Sequence, residues 1–307
     1  MCNPGEPERR EDAAAERLDA FTAHRPLLFS IAYRMLGSVM DAEDMIQEAF
    51  LRWLRAPAGE VASPKAYLTT TITRLCIDHL RSARVRREQY VGPWLPEPLL
   101  TASYPDIAET AAQRESISLA FLVMLERLEP VERAVFLLRE VFDYDYAEIA
   151  PIVDKTPTNC RQIVRRARER IADERRRVEV PPERQEALID AFLGACANGD
   201  LPGLLTLLTD DITMWTDGGP HARAARRPIV GADRVARFSI GVTPRIPPGT
   251  TAHHVEINGQ PGVVLYAGGE PHTAFVVDLV GDRIHRIWMV LNPDKLRHLP
   301  RGTALAS

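Results

Sequence analysis

Along the first third of the chain, apolar residues recur at steps of three and four, the period that lays one face of a helix on a core. Leu18 to Leu36 reads as a helix with Leu28, Ile31, Ala32, Met35 and Leu36 at core spacing, ended by Gly37-Ser38. Ser38 followed by Asp41 has the form of a capping box and starts a second helix, DAEDMIQEAFLRW, Asp41 to Trp53. Ile46, Ala49, Phe50, Trp53 and Leu54 fall on one side of it. Asp41, Asp44 and Glu48 fall on the other, flanked by Glu43 and Gln47. Ser63-Pro64 supplies an N-cap and a first-turn proline for a third helix running to about Arg84. Its buried stripe is Leu68, Ile72, Leu75 and Cys76. Its opposite face carries Tyr67, Thr70, Arg74, Asp78 and Arg81, then Arg84. These three helices predict a compact bundle over residues 16–87, preceded by a polar, frayed stretch to about residue 15.

The periodicity breaks over residues 88–112. GPWLPEPLL, Gly92 to Leu100, holds three prolines around Trp94 and Leu95, so it reads as an extended linker whose apolar side chains need a surface. Helical spacing resumes at Ala112 to Arg127. Glu129-Pro130 opens the next helix, with Val131, Ala134, Val135, Leu138 and Val141 as its core. A helix-turn-helix follows within residues 113–178. Tyr146, Ile149 and Ile152 mark its first helix, Asp154-Lys155 the turn, and Thr156-Pro157 the cap and first position of the second. Cys160, Ile163, Val164 and Ala167 face inward, which leaves Thr158, Asn159, Arg161, Gln162, Arg165, Arg166 and Arg168 outside. Pro151 falls within the first helix, where it removes a hydrogen bond, and the turn lacks a glycine.

After ERRRVEVPPE the pattern changes. Glu183 to Leu208 reads as one or two helices broken at Gly199-Asp200. Strand signals then appear at Ile212 to Thr216, Val255 to Ile257, Val263 to Tyr266, Ala274 to Val280 and Arg283 to Leu291, the last two joined through Gly281-Asp282 as a hairpin. This predicts an α+β cone over residues 183–300 with an antiparallel, curved sheet.

Composition narrows the class. A chain of 307 residues with 45% hydrophobic and 26% charged residues has the make-up of an ordinary soluble protein of two or three domains. No signal segment or apolar run of spanning length is read, so a cytoplasmic location without membrane contact is expected. Cys2, Cys76, Cys160 and Cys196 are scattered without metal-ligand or disulfide spacing, and no metal or cofactor is expected. The net charge of -4 hides a local excess: Arg161 to Arg177 carries eight arginines against Glu169, Asp173 and Glu174.

The chemistry lies in the exposed faces. Four carboxylates between Asp41 and Phe50, with no Lys or Arg among them, fit a basic partner surface. An aromatic, hydroxyls and arginines on the Tyr67 to Arg81 face suit bases splayed from a single strand, with guanidinium groups on phosphates. The exposed Asn, Gln and Arg of the helix-turn-helix suit a major groove.

DAED-x-x-QE-x-F, then SPKAYL and IDHLR, resembles region two of the bacterial sigma-70 superfamily in its extracytoplasmic-function branch. LERLEPVERAVFLLREVFDYDYAEIA with TPTNCRQIVRRARERI resembles its region four. The resemblance implies that Asp41, Glu43, Asp44, Gln47 and Glu48 dock on the β′ clamp of core RNA polymerase. It implies that Tyr67, Thr70, Arg74, Asp78, Arg81 and Arg84 capture the melted minus-10 element, although Arg74 stands where many members carry asparagine. The exposed residues of the second helix, Thr158 to Arg168, would read the minus-35 element.

WLPEP, containing Trp94, Leu95 and Pro96, is similar to the linker of family members with a fused C-terminal extension. Residues 183–300 look like the SnoaL-like fold. DGGP contains Asp217, Gly218 and Gly219 of an Asp-Gly-Gly motif, here followed by Pro220 and His221. NPDKL, Asn292, Pro293, Asp294, Lys295 and Leu296, matches the C-terminal signature of that subfamily. The expected architecture is therefore multidomain: two all-α sigma domains followed by an α+β SnoaL-like cone. The expected function is promoter-directed transcription initiation by core polymerase, regulated through contact of the cone with region two or the linker. The alternative is a helix-turn-helix regulator with a ligand-sensing or enzymatic cone. For catalysis the cone offers Asp217, His221, His253, His254, His272, Asp278 and His285, but no spacing brings two of them together.

Overall fold

The protein is described by a computed structural model that covers residues 6–57, 61–88, 90–171 and 181–302. In chain order the first eight helices are α1 (Glu6–Leu36), α2 (Val39–Arg55), α3 (Pro64–Glu88), α4 (Ala111–Ile117), α5 (Leu119–Leu125), α6 (Pro130–Glu140), α7 (Tyr146–Val153) and α8 (Pro157–Ile171). The chain divides into two compact units, one of residues 1–85 with 125–170, the other of residues 86–124 with 171–307. The linker and the α4–α5 segment therefore belong with the C-terminal cone.

In the first unit, α1 begins at Glu6, well before the periodic segment that announces it. Ser38 caps α2 by accepting from the Asp41 amide at 3.0 Å. Ile46, Ala49 and Trp53 are buried as their spacing requires, but Leu54 is 43% exposed. Leu54 sits one residue past Trp53, and 100° per residue carries it over the edge of the buried stripe. Arg17 donates to the carbonyls of Trp53, Leu54 and Ala56, closing the C-terminal turn of α2.

The helix-turn-helix forms from α7 and α8. Asp154 takes the left-handed conformation at φ 54° that a glycine would otherwise supply. Thr156 caps α8, accepting from the Asn159 amide at 3.2 Å. Pro151 does not end α7, because an eight-residue helix tolerates one missing hydrogen bond near its last turn. The bundle and the helix-turn-helix are joined inside this unit: Arg133, 3% exposed, donates to the Met35 carbonyl at 2.7 Å, and the Thr69 and Tyr144 hydroxyls are 3.1 Å apart.

The second unit contains α9 (Pro182–Asn198), α10 (Leu201–Leu207), β1 (Leu208–Asp217), β2 (Ile229–Val230), α11 (Ala232–Val242), β3 (Thr251–Ile257), β4 (Gln260–Ala267), β5 (Glu270–Val280), β6 (Arg283–Val290) and α12 (Pro293–Leu296). The sheet order is β2-β1-β6-β5-β4-β3. It is mixed rather than antiparallel, since β1 pairs with β6 in parallel. Alternation along a strand reports which face is buried, not the direction of its neighbour. The helix expected over Ala112 to Arg127 is broken at Ser118, whose extended backbone ends α4 and whose hydroxyl accepts from the Phe121 amide.

Both faces of the sheet are covered. Val263, Leu265, Phe275, Val277 and Ile287 pack against α9 and α11. Val264, Tyr266, Ala274, Val276, Trp288 and Val290 point the other way, onto Leu95 and Leu100 of the linker, Leu119 of α5, and Leu296 and Leu299 of the tail. The unbroken apolar run Ala274 to Val277 has this physical cause, a strand buried on two sides.

Candidate promoter and polymerase surfaces and the linker clasp

On α8, Thr158, Asn159, Arg161, Gln162, Arg165, Arg166 and Arg168 are all exposed. They are not equivalent. Arg168 is held by Glu140 through two hydrogen bonds of 3.1 and 2.8 Å, which raise its pKa further. Arg161 lies over the Tyr146 ring at 5.1 Å. Among the described residues, Arg165 has only a loose contact of 3.9 Å with Glu169. The side chains of Thr158, Asn159 and Gln162 are open to a groove, and Arg165 is close to free.

On α2, Glu43 pairs with Arg25 at 2.6 Å, Glu48 with Arg52 at 2.8 Å, and Asp41 lies 3.4 Å from His79. The carboxylates are thus partly neutralised by neighbours outside the acidic segment. Asp44 and Gln47 are exposed. Met40, Leu51 and Leu54 are exposed as well, at 42%, 46% and 43%. Positions 40, 44, 47, 51 and 54 follow the alternating four-three step of a coiled-coil seam, so the outer face of α2 carries one continuous stripe. The sequence reading missed its apolar members because exposure of a leucine has no local signal.

On α3, Tyr67 is half-buried, its ring 5.6 Å from that of Trp53. Thr70 donates to the Ala66 carbonyl at 2.8 Å, and Asp78 and Arg81 pair loosely at 3.4 Å. Arg74 is exposed but engaged: its guanidinium donates to the Pro151 and Ile152 carbonyls at 2.7 and 3.0 Å, at the C-terminal turn of α7. Arg84 lies on α3, but its side chain is outside the described residues, as are most of ERRRVEVPPE and the tail beyond residue 302.

In the second unit the motif residues converge. Asp217, at the end of β1, is fully buried. Its Oδ2 accepts from Lys295 Nζ and from the Leu95 amide, both at 2.8 Å. Its Oδ1 accepts from the Tyr90 hydroxyl at 2.5 Å and the Gly219 amide at 3.0 Å. Lys295 also donates to the Leu95 carbonyl and lies 4.0 Å over the Trp94 ring. Asn292 donates to the Tyr90 hydroxyl at 2.9 Å. Burial first, and then the bond to Asp217, drives the Tyr90 phenol upward, keeping it a donor.

The glycines have a steric reason: a Cβ on Gly219 (φ 55°) would stand 2.5 Å from Asn292 Nδ2, and one on Gly218 would stand 2.4 Å from the Ala222 carbonyl oxygen. A second anchor escaped the sequence reading. Asn258, buried with φ 53°, accepts from the Leu99 amide at 2.9 Å through its side chain and donates to the Ile117 carbonyl at 2.7 Å. His298 is 2.8 Å from the Pro98 carbonyl oxygen.

Among the described residues, the candidate histidines of the cone each meet a different partner. His254 meets Asp190 at 2.8 Å, His285 meets Asp211 at 3.4 Å, and His221 meets Asp294 at 3.6 Å. His272 contacts Thr273 and His253 contacts Thr251.

The Sigma-70 region 2 family matches residues 20–86 and the Sigma-70 region 4 family matches residues 118–171. The ECF RNA polymerase sigma factor SigJ of Mycobacterium tuberculosis is 36% identical over 294 residues, covering 91% of this chain and 93% of its own. The chain belongs to the ECF RNA polymerase sigma factors. The probable ECF sigma factor SigI of the same species is 35% identical, covering 90% of this chain and 93% of its own. A crystal structure of SigJ superposes with a TM-score of 0.71 at 31% identity, covering 91% of this chain and 98% of that one. The sigma-type helical parts and the α+β cone are thus shared over nearly the whole length. As an ECF sigma factor the protein acts with core RNA polymerase at promoter DNA. In this sigma factor no described helix is long and apolar enough to cross a membrane.

Proposed function

We propose that this cytoplasmic sigma factor is regulated by its own cone through the linker. The observation that carries the reading is the buried Asp217, which ties WLPEP to both the Asp-Gly-Gly loop and the NPDKL tail in a single hydrogen-bonded knot. WLPEP lies in sequence between the two sigma regions, so whatever holds or releases it sets the slack between them. Tethering keeps the local concentration of the cone high, about mM, so a clasp of modest strength stays closed.

The outer stripe of α2 is the proposed clamp-binding surface, with Asp44 and Gln47 flanked by Met40, Leu51 and Leu54. Thr158, Asn159, Gln162 and Arg165 are the proposed minus-35 readers, and the Tyr67 to Arg81 face the proposed minus-10 reader. Arg74 cannot hold the α7 carbonyls and a DNA strand at once, which supports reading the described arrangement of the first unit as closed. The cone is proposed to act by binding, since its buried carboxylate is committed to the clasp.

The test is run-off transcription with core polymerase, comparing the full chain, Lys295→Met, and a chain lacking Asn292 to Ser307. Release of the linker predicts altered transcript yield for both variants, with folding checked by circular dichroism. Yields equal to the full chain from both folded variants would remove the cone from regulation.

A further inference from the structure

A cavity of about 620 Å³, open to solvent on one side, lies in the cone on the α9/α11 side of the sheet. Its walls are apolar: Phe192 from α9, Met214 from β1, Phe238 from α11, Leu265 from β4, Phe275 from β5 and Met289 from β6. The size is that of a site for a small organic molecule, and so is the chemistry, a greasy chamber with few polar groups.

The charged lining is one-sided. Arg223 and Arg245 both line the cavity, and among the described residues no aspartate or glutamate does. Some cone cations, Arg184, Arg237 and Lys295, have carboxylate partners, whereas exposed Arg226, Arg227 and Arg234 have none among the described residues. Among the described residues Arg223 and Arg245 have none either, and both are exposed; it is their place on the cavity that sets them apart, free to meet an anion at its edge. Two guanidinium groups beside an apolar chamber select a molecule with one apolar body and one carboxylate, which planar guanidinium binds in a forked geometry.

The cavity also touches the clasp from behind. Ala222, which closes the Asp-Gly-Gly turn by donating to the Gly218 carbonyl, lines it, and so do Leu291, Pro293 and Leu296 on either side of Asn292 and Lys295. An occupant therefore packs on the same two segments whose polar side chains hold the linker.

We propose that the cone is a receptor for an amphipathic carboxylic acid, bound in this cavity with its carboxylate on Arg223 and Arg245, and that occupancy shifts the hold of the clasp on the linker. The first half stands on the cavity itself. The second rests on the linker reading proposed above.

The test uses the full chain and cis-parinaric acid, a fluorescent long-chain carboxylic acid, with its methyl ester as the uncharged control. Saturable binding of one acid per chain is expected, about tenfold weaker for the ester, and about tenfold weaker for the acid with Arg223→Ala/Arg245→Ala. Val242→Trp and Thr250→Phe, from two different walls, fill the cavity and are expected to abolish binding while circular dichroism stays unchanged. Equal binding of acid and ester, or undiminished binding by both folded cavity-filling variants, overturns the receptor. Hydrogen exchange at the Leu95 and Leu99 amides, measured with and without the acid, reads the coupling. Saturation with no change there overturns the coupling and leaves the site standing, so the two failures are told apart.

Discussion

Lys295 and Asp217 form a 2.8 Å ion pair that is almost entirely removed from solvent, Asp217 at 0% and Lys295 at 7% exposure. A buried pair contributes little net stability over apolar residues of the same shape, but removing one partner strands a charge. Lys295→Met should therefore cost ~3–5 kcal/mol in the cone, whereas Lys295→Met combined with Asp217→Asn should cost less than the single change. Urea unfolding followed by tryptophan fluorescence measures both. The Leu95 amide, which donates to Asp217, should lose its exchange protection in the single variant.

Arg74 ties α3 to the last turn of α7 with two hydrogen bonds to orphan carbonyls. Only a planar fork reaches both, so Arg74→Lys keeps the charge and loses the geometry. Faster hydrogen exchange over α7 is expected for Arg74→Lys, at a cost of roughly 1–3 kcal/mol in that local opening. Unchanged exchange would mean the contact does not hold the helix-turn-helix closed.

How far the sequence carries depends on the range of the interactions concerned. The α7–α8 unit was readable because its signals are local: Thr156 caps, Pro157 opens a helix, and four inward residues keep the period. The linker was half readable, since Trp94, Leu95 and Leu99 in a proline-rich stretch announce unpartnered apolar surface. Asp217 and Lys295 were named through the motifs they belong to, but their bond to each other across 78 residues of sequence was not readable, and neither was Asn258, which contacts residues 141 and 159 positions away. The parallel β1–β6 pairing and the short β2 were invisible for the same reason, being set by what each strand meets rather than by its own pattern. Arg74 was placed on the correct face of α3, but its grip on α7 depends on tertiary contact alone.

On α8, Gln162→Ala and Arg165→Ala should each cost roughly 1–3 kcal/mol at the minus-35 element and relax preference at one base position. Arg168→Ala should cost less, because Glu140 already holds that side chain. Glu140→Ala should make Arg168 count, strengthening duplex binding and steepening its salt dependence. Fluorescence anisotropy on minus-35 duplexes at several salt concentrations checks the set.

Burial pushes the Cys196 thiol up to about 12, well above its ordinary value, and the same residue lines the cone cavity. Its alkylation by iodoacetamide should therefore keep rising about tenfold per pH unit, where an ordinary thiol levels off near pH 9. The same shift lowers stability as the pH climbs, because the unfolded chain ionises first. Peptide mass spectrometry across pH 7–10 gives the profile, and a plateau near pH 9 would contradict the buried placement.

The outer stripe of α2 combines two kinds of residue, and they predict two separable effects on core polymerase binding. Asp44 makes no ion pair among the described residues, whereas Glu48 is shared with Arg52. Asp44→Ala with Glu48→Ala should weaken binding at low salt and matter little at high salt, since exposed charges act mainly through screened attraction. Leu51 is 46% exposed, so its truncation removes little packing from the folded chain. If it is buried on docking, Leu51→Ser should cost ~1.5–3 kcal/mol at every salt concentration. Titration of core polymerase with the labelled protein at low and high salt distinguishes the two contributions. A salt-independent loss from the charge variant, or no loss from Leu51→Ser, would move the docking surface away from this stripe.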